Sequence, residues 1–188
     1  MWTLQEELSP IEIGNPSHHH NLTVLPLFRH ESTINHSDYL LLDDALEKGL
    51  ARVTEFDQGG SVPELAFVNS ADLPVLLLDG EELIGAKQNR VLNLTILVPP
   101  KVAITIPVSC VEAGRWHMSP SSLKTSDHLM YAQIRAERAG HVTQSIRTSG
   151  SRASNQTEVW RSISQKASRL RSPSPTEANC AYVLLRAN

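Results

Sequence analysis

A series of short apolar runs, separated by turn residues, constrains the fold of this chain most strongly. Each run is too short for a typical helix, and runs that recur at about eight- to twelve-residue intervals are typical of strands in an antiparallel sheet. Strands with this spacing favour a sandwich or a barrel over alternating βαβ units. The runs are Leu65–Val68, Val75–Leu78, Val91–Val98 and Val102–Val108, preceded by an alternating segment, Leu50–Phe56, and a shorter run, Asn21–Phe28.

The dipeptide Asp79-Gly80 lies between the run Val75–Leu78 and the segment Glu81–Ile84. Asp-Gly between two strand-like segments is typical of a two-residue hairpin, because both central residues of a type I′ turn need a positive φ. The sequence therefore predicts that these two segments pair with each other as a hairpin.

Helical patterns occur on both sides of the strand-rich region. A short helix is predicted before Gly49, because acidic side chains open the segment and a lysine closes it. Asn155 is a predicted N-cap, with Glu158 placed to complete a capping box. The predicted helices are Leu42–Lys48, Asp127 to about Arg138, a helix that begins at Asn155 and a helix that begins at Ser174. In the second of these, Arg135 and Arg138 are expected to face away from the apolar side. Residues 144–153 are predicted to be mobile.

These elements predict an α+β protein. Its first part, residues 1–116, is an antiparallel β-sandwich or barrel-like core, and its second part, residues 117–188, is a helical segment packed on that core in a single integrated domain. The net charge of −3 conceals a difference between the parts, since residues 1–116 carry −9 and residues 117–188 carry +6. Few aromatic residues lie among the basic side chains of the second part. Docking on the acidic part, or solvation, is therefore favoured over nucleic-acid binding.

Several classes of protein are excluded by what the chain lacks. It has no run of 18 apolar residues, so no membrane span is expected, and its acidic first residues do not resemble a secretory signal. Two cysteines are too few for a disulfide framework or a zinc cluster, and a reducing, cytoplasmic setting is expected. His18–His20 is interpreted as a solvated loop, so neither a metal nor a cofactor is predicted. No Walker loop, dinucleotide-binding glycine motif, zincin motif or nucleophile elbow occurs.

A polar segment, Asp79–Asn93, interrupts the apolar strands. Polar side chains among core strands are costly unless they are paired or form a site. Lys87 and Arg90 suit an anionic group such as phosphate, whereas Gln88 and Asn89 suit an amide, a base or a sugar hydroxyl. The alternative is a polar bulge with a structural ion pair, and the residues alone favour neither interpretation.

A second segment, Ile106–Trp116, ends in Glu112, Arg115 and Trp116. Arginine beside tryptophan suits stacking on a base with its phosphate, although a structural Arg–Glu pair under an aromatic lid fits the pattern too. Glu81 and its neighbour point to opposite faces of a strand, so Glu112 is the better second carboxylate for acid–base chemistry. Cys110 is interpreted as a small buried apolar residue in preference to a nucleophile.

These segments, together with Glu158-Val159-Trp160 and Ser174-Pro175-Thr176, resemble the ARG and rhodanese-phosphatase-superfamily-associated protein domain family, in which ARG stands for ADP-ribosylglycohydrolase. The resemblance covers roughly residues 10 to 180. It implies a role near ADP-ribose and NAD metabolism in prokaryotic or viral settings, and it assigns no catalytic residues. The positions that match the family motif are Gly80, Glu81, Gly85, Lys87, Gln88, Asn89, Arg90, Asn93, Cys110, Glu112, Gly114, Arg115 and Trp116.

Three hypotheses follow from the residues and the resemblance. The first is a module, with or without enzymatic activity, that binds an ADP-ribose-like nucleotide. The second is a non-enzymatic interaction protein in which the same residues form an internal ion-pair network, and the third is nucleic-acid binding through the basic helices. For the first hypothesis the candidate catalytic residues are Glu81 and Glu112, and the candidate ligand-binding residues are Lys87, Gln88, Asn89, Arg90, Asn93, Arg115 and Trp116.

Overall fold

The computed structural model describes residues 5, 8–29, 38–56, 63–114 and 122–171. The chain divides into two compact units, residues 1–37 and residues 38–188. In the first unit, β1 pairs with β4 and β2 pairs with β3, each in antiparallel register. The predicted strand over Asn21–Phe28 is therefore two separate strands, interrupted at Leu25-Pro26. The strands are β1 (Ile11–Ile13), β2 (Ser17–His19), β3 (Leu22–Val24) and β4 (Leu27–Arg29).

The second unit contains the remaining described elements. Its pattern of strands followed by two long helices matches the predicted α+β class. In chain order the elements are β5 (Leu40–Leu41), α1 (Leu42–Glu47), β6 (Ala51–Thr54), β7 (Glu64–Asn69), β8 (Val75–Leu77), β9 (Glu81–Ile84), β10 (Arg90–Leu92), β11 (Ile96–Val98), β12 (Ala103–Cys110), β13 (Lys124–Leu129), α2 (Ala132–Ser149) and α3 (Gln156–Arg169).

The main sheet has six strands in the order β13-β9-β10-β12-β7-β6, and all of its neighbours are antiparallel. It curls so that its two outer strands approach each other. Thr54 forms an isolated bridge with Ser122, and the Leu123 N–H donates to the Val53 carbonyl at 3.2 Å. The predicted barrel-like antiparallel core is confirmed by this arrangement.

The Asp79-Gly80 hairpin is a wrong prediction. The strand before the turn, β8, pairs with β11 and β5 in a separate three-stranded sheet, whereas the strand after it, β9, pairs with β10 and β13. Gly80 does adopt a positive φ of 91°. The turn therefore carries the chain from one sheet to another. The predicted single strand Val91–Val98 divides in the same way into β10 and β11.

The faces of β10 contact different surroundings. Leu92 lies in a large apolar core with Phe67, Leu83 and Ile106, on the inner side of the curled sheet. Val91 points the other way and packs with residues of the long helices, among them Ile163. The alternation of side chains along a strand thus separates an inner core from a helix-packed outer face.

Two of the predicted helices are confirmed. Helix α1 ends beside Gly49, which has a φ of 67°, and it buries Leu42 and Ala45 in the inner core. Helix α3 starts after Asn155, whose side chain accepts the Glu158 N–H at 3.3 Å. The further helix predicted from Ser174 lies outside the described residues.

The predicted helix from Asp127 begins too early. Lys124–Leu129 is strand β13, because pairing with β9 overrides the local helical pattern, and α2 then continues to Ser149 through a segment predicted to be mobile. Arg138 is buried on α2, contrary to the expectation that it faces away from the apolar side. It forms an ion pair with Asp79, and Arg135 lies 3.4 Å from the same carboxylate. The Asp79-Gly80 turn is therefore the point at which α2 docks.

Candidate functional site

A group of polar side chains lies at the end of the curled sheet where β6 and β12 finish and β10 begins. Most polar side chains of a folded protein are exposed, so a buried group of this size is unusual. Its position, at the mouth of a barrel-like sheet, is one where ligand sites are common. We call these residues the polar cluster; they are Glu55, Glu82, Lys87, Gln88, Asn89, Arg90 and Glu112, each of them buried or with a largely buried side chain.

Arg90 occupies the inner face of the sheet. Its register partners are Leu83 on β9 and Cys110 on β12, and its side chain is fully buried. The guanidinium Nη2 lies 3.3 Å from Glu55 Oε1, and the Glu55 side chain is only 6% exposed. A buried charge needs such a partner, since removal from water is costly for an isolated ion.

Asn89 lies on the opposite face from Arg90, because adjacent strand residues alternate. Its backbone N–H donates to Glu112 Oε2 at 3.4 Å, and its Nδ2 donates to Glu82 Oε1 at 3.5 Å. Its Oδ1 accepts the Gly85 N–H at 3.4 Å. The two polar segments of the sequence thus converge, since residue 89 belongs to the first and residue 112 to the second.

Glu81 and Glu82 point to different places, as the alternation of a strand requires. Glu82 contacts Asn89, whereas Glu81 Oε2 accepts the Leu78 N–H at 2.8 Å and lines a cavity of about 230 Å³ with Asp43 and His128. Burial raises the pKa of Glu81, opposed by the Leu78 hydrogen bond and assisted by the negative charge of Asp43. The two candidate catalytic carboxylates, Glu81 and Glu112, therefore do not share the polar cluster.

The cavity beside Glu81 adjoins a larger one of about 660 Å³. The two share Asp43, Thr125 and Asp127, and the larger cavity extends between α1, β6 and β13 with Arg52 and Lys124 in its wall. Its size is within the range of small-molecule sites. None of the candidate ligand-binding residues within the described ranges lines either cavity.

Asn93 takes part in a separate hydrogen-bonded group that joins the sheet to the segment before α3. Its Oδ1 accepts from Ser109 Oγ at 2.6 Å, and its Nδ2 donates to the Arg152 carbonyl at 3.3 Å. Ser109 Oγ is also 2.6 Å from Ser154 Oγ. This contact pattern positions the helices and does not bring Asn93 into the polar cluster.

The side chain of Gln156 holds the backbone of Cys110 in place. The Gln156 side chain accepts the Cys110 N–H at 2.8 Å and donates to the Cys110 carbonyl at 2.7 Å, as a neighbouring strand would. Burial raises the pKa of the Cys110 thiol; Arg90 opposes this effect and Glu55 adds to it. A buried thiol with a raised pKa is a weak nucleophile at neutral pH, which agrees with its interpretation as an apolar core residue.

Arg115 and Trp116 lie outside the described residues. Within the part of the chain that is described, no group of three or more His, Cys, Asp or Glu side chains is arranged to hold a metal ion. None of the described helices is long and apolar enough to cross a membrane.

Glu55 is the member of the polar cluster that sequence reasoning missed. The alternation of Leu50–Phe56 places it on the same face as Ala51 and Val53, which are buried. A charged residue on an otherwise buried strand face is expected to pair with a buried residue of opposite charge. The partner of Glu55 is Arg90.

Comparison with known protein families identifies a match over most of the chain. A family model described as the ARG and Rhodanese-Phosphatase-superfamily-associated Protein domain matches residues 10–184, which is most of the chain. No curated protein and no solved structure matches.

Proposed function

The chain belongs to the ARG and rhodanese-phosphatase-superfamily-associated protein domain family, and from this premise we propose that it binds an ADP-ribose-like nucleotide at the polar cluster. The observation that carries the proposal is the burial of seven polar side chains near one end of the sheet, with Arg90 and Glu55 paired on the inner face and Asn89 in contact with Glu82 on the opposite face. Burying polar groups lowers stability unless they are hydrogen-bonded, and a ligand that supplies the missing partner explains a buried group that has none among the described residues.

In this proposal different residues of the cluster bind different parts of the nucleotide. Lys87 supplies a positive charge for the diphosphate, as its ammonium suits phosphate oxygens. Gln88 and Asn89 recognise the sugar or the base through their amides. Arg115 and Trp116 remain candidates for phosphate contact and stacking, as the sequence predicts.

If hydrolysis accompanies binding, Glu112 is the better general base. Glu112 contacts the backbone of Asn89 inside the polar cluster, whereas Glu81 lines a different cavity. The base must lie within hydrogen-bond reach of the water that it activates, so a carboxylate in the same cluster as the ligand is required. Glu112→Gln should then abolish turnover of ADP-ribose, measured by chromatography of the products, while binding is retained.

Isothermal titration with ADP-ribose, NAD and AMP tests the proposal. We expect heat with at least ADP-ribose, and about tenfold or greater weakening in Lys87→Met, because a charge-assisted contact contributes about 1.5–3 kcal/mol. Lys101→Met is the matched control, since Lys101 is exposed and lies outside the cluster. Absence of heat with all three nucleotides, or equal weakening in the two variants, would contradict it.

A second function is favoured by one specific observation, the complete burial of Arg90 in its pair with Glu55. The cluster would then be an internal network that holds the sheet together, and the protein would act through partner contacts. This alternative predicts that Glu112→Gln and Lys87→Met lower the melting temperature while no nucleotide changes it. A nucleotide that raises the melting temperature of the wild type supports the first function instead.

A further inference from the structure

Two buried acceptor atoms of the polar cluster have no hydrogen-bond donor among the described residues. They are Glu55 Oε2 and Gln88 Oε1. The Glu55 side chain is 6% exposed and Gln88 is 4% exposed, so bulk water does not readily satisfy either atom. Buried acceptors of folded proteins nearly always receive a hydrogen bond, and those that do not require an explanation.

Both acceptors belong to residues near Arg90, Glu55 through a side-chain contact and Gln88 along the chain. Glu55 contacts the Arg90 guanidinium through Oε1 alone, at 3.3 Å, which leaves Oε2 for another donor. Gln88 precedes Arg90 by two residues on the segment that leads into β10. The ion pair with Arg90 offsets part of the cost of burying the Glu55 carboxylate and fixes its position.

We propose that Glu55 and Gln88 accept hydrogen bonds from hydroxyl groups of a ribose and so determine the specificity of the site. This inference rests on the proposed function and names the part of the nucleotide that these two residues recognise. A ribose carries adjacent hydroxyl groups, each able to donate one hydrogen bond, and carboxylates are common acceptors for ribose hydroxyls in nucleotide sites.

The chemistry of the two atoms excludes a phosphate as their direct partner. Phosphate oxygens are acceptors and carry negative charge, so they would meet a carboxylate and an amide oxygen without any donor between them. The phosphate contact is therefore assigned to Lys87, and the sugar contact to Glu55 and Gln88. Arg90 acts as a positioning residue for Glu55.

Competition against ADP-ribose with two matched pairs of sugars tests this assignment. The pairs are AMP with 2′-deoxy-AMP and ribose 5-phosphate with 2-deoxyribose 5-phosphate. For wild type we expect the deoxy member of at least one pair to compete about tenfold less well, because an acceptor left without its donor costs on the order of one decade in affinity.

Two variants separate recognition from folding. Gln88→Met removes the acceptor at similar size and leaves the Glu55–Arg90 pair in place, and Glu55→Gln replaces the carboxylate by an amide. In each we expect the ribose compound to bind about tenfold more weakly while the deoxy compound is nearly unchanged, so that the preference shrinks toward unity. Gln133→Met is the matched control, since Gln133 is an exposed residue of α2, and it should keep the wild-type preference.

Two results would overturn the assignment while the proposed function stands. In the first, wild type binds ADP-ribose but does not distinguish the ribose from the deoxyribose compounds. In the second, Gln88→Met and Glu55→Gln, both folded by circular dichroism, keep the full wild-type preference. Failure of wild type to bind ADP-ribose at all would instead overturn the proposed function, and the assignment with it.

Discussion

Two buried side-chain amides, Asn69 and Gln88, lie at opposite ends of the curled sheet and differ in how their polar atoms are satisfied. Asn69 Nδ2 donates to the carbonyls of Leu73, Val98 and Pro99, and its Oδ1 accepts the Ala71 N–H at 2.9 Å. Gln88 Oε1 receives no hydrogen bond from any residue that the structure describes.

The difference separates a structural amide from one that is available to a ligand. Asn69 joins loops around the end of the sheet that α1 covers, where its neighbours are apolar core residues. Gln88 lies near the end of the sheet at which seven polar side chains are buried. Saturated polar groups contribute to rigidity, whereas an acceptor without a donor in the folded chain is suited to receive one from outside.

The largest effect is expected at the ion pair of the polar end. Arg90→Ala leaves the Glu55 carboxylate buried without its partner, and the free energy of unfolding should fall by about 3–5 kcal/mol. Urea unfolding measures the loss. The double variant Glu55→Met with Arg90→Met should recover most of it, because two apolar side chains of similar size leave no isolated charge. A double variant no more stable than Arg90→Ala would contradict the assignment of the loss to the isolated Glu55 carboxylate.

At the opposite end, Asn69→Ala should lower the free energy of unfolding by about 2–4 kcal/mol. The substitution removes the donor for three carbonyls and the acceptor for one N–H, and unsatisfied buried groups cost about 1–3 kcal/mol each, with some recovered by relaxation. Thermal melting at a fixed pH gives the value. A loss below about 0.5 kcal/mol would mean that water replaces the amide and that the hydrogen bonds of Asn69 do not stabilise the fold.

A smaller effect is expected at Glu81, which lies apart from both amides. Because burial raises its pKa in the folded state, its contribution to stability is present at acid pH and is lost as the pH rises through the folded-state pKa. Glu81→Gln should therefore be more stable than wild type at pH 7, by less than about 1 kcal/mol, with no difference below about pH 4. Melting temperatures measured from pH 4 to pH 8 check the sign, and a variant less stable at pH 7 would contradict it.

The smallest change in stability is expected for Gln88→Met. The variant removes an acceptor that has no donor in the described chain, so the free energy of unfolding should stay constant or rise by up to about 1 kcal/mol. Set beside Asn69→Ala under the same conditions, it tests the comparison directly. Equal destabilisation by the two substitutions would show that both amides are structural.

The sequence predicted the parts of the fold that depend on local chemistry. Helix α1 and the N-cap at Asn155 follow from capping residues and charge, and both were found. The Asp79-Gly80 hairpin was wrong because the dipeptide fixes only the turn, while long-range pairing decides which sheet each strand joins. Residues 127–129 of strand β13 were predicted as helical for a related reason, since only pairing with β9 makes them part of a strand.

The sequence named five of the buried polar residues, Lys87, Gln88, Asn89, Arg90 and Glu112, but not their contacts. The contact between Asn89 and Glu112 joins the two polar segments, and the spacing along the sequence does not predict it. Glu55 and its pairing with Arg90 could not be found from spacing, because they are 35 residues apart and on non-adjacent strands of the sheet. Which of Glu81 and Glu82 faces the cluster depends on the strand register, and a sequence alone does not determine it.

Hydrogen–deuterium exchange with and without saturating ADP-ribose shows whether the polar end of the sheet is a ligand site. We expect slower exchange of backbone amides in residues 84–92 and 108–112, which carry most of the polar cluster, and no change in α1 at the other end. Binding of ADP-ribose with unchanged exchange in residues 84–92 and 108–112, or with protection confined to the α1 end, would contradict it.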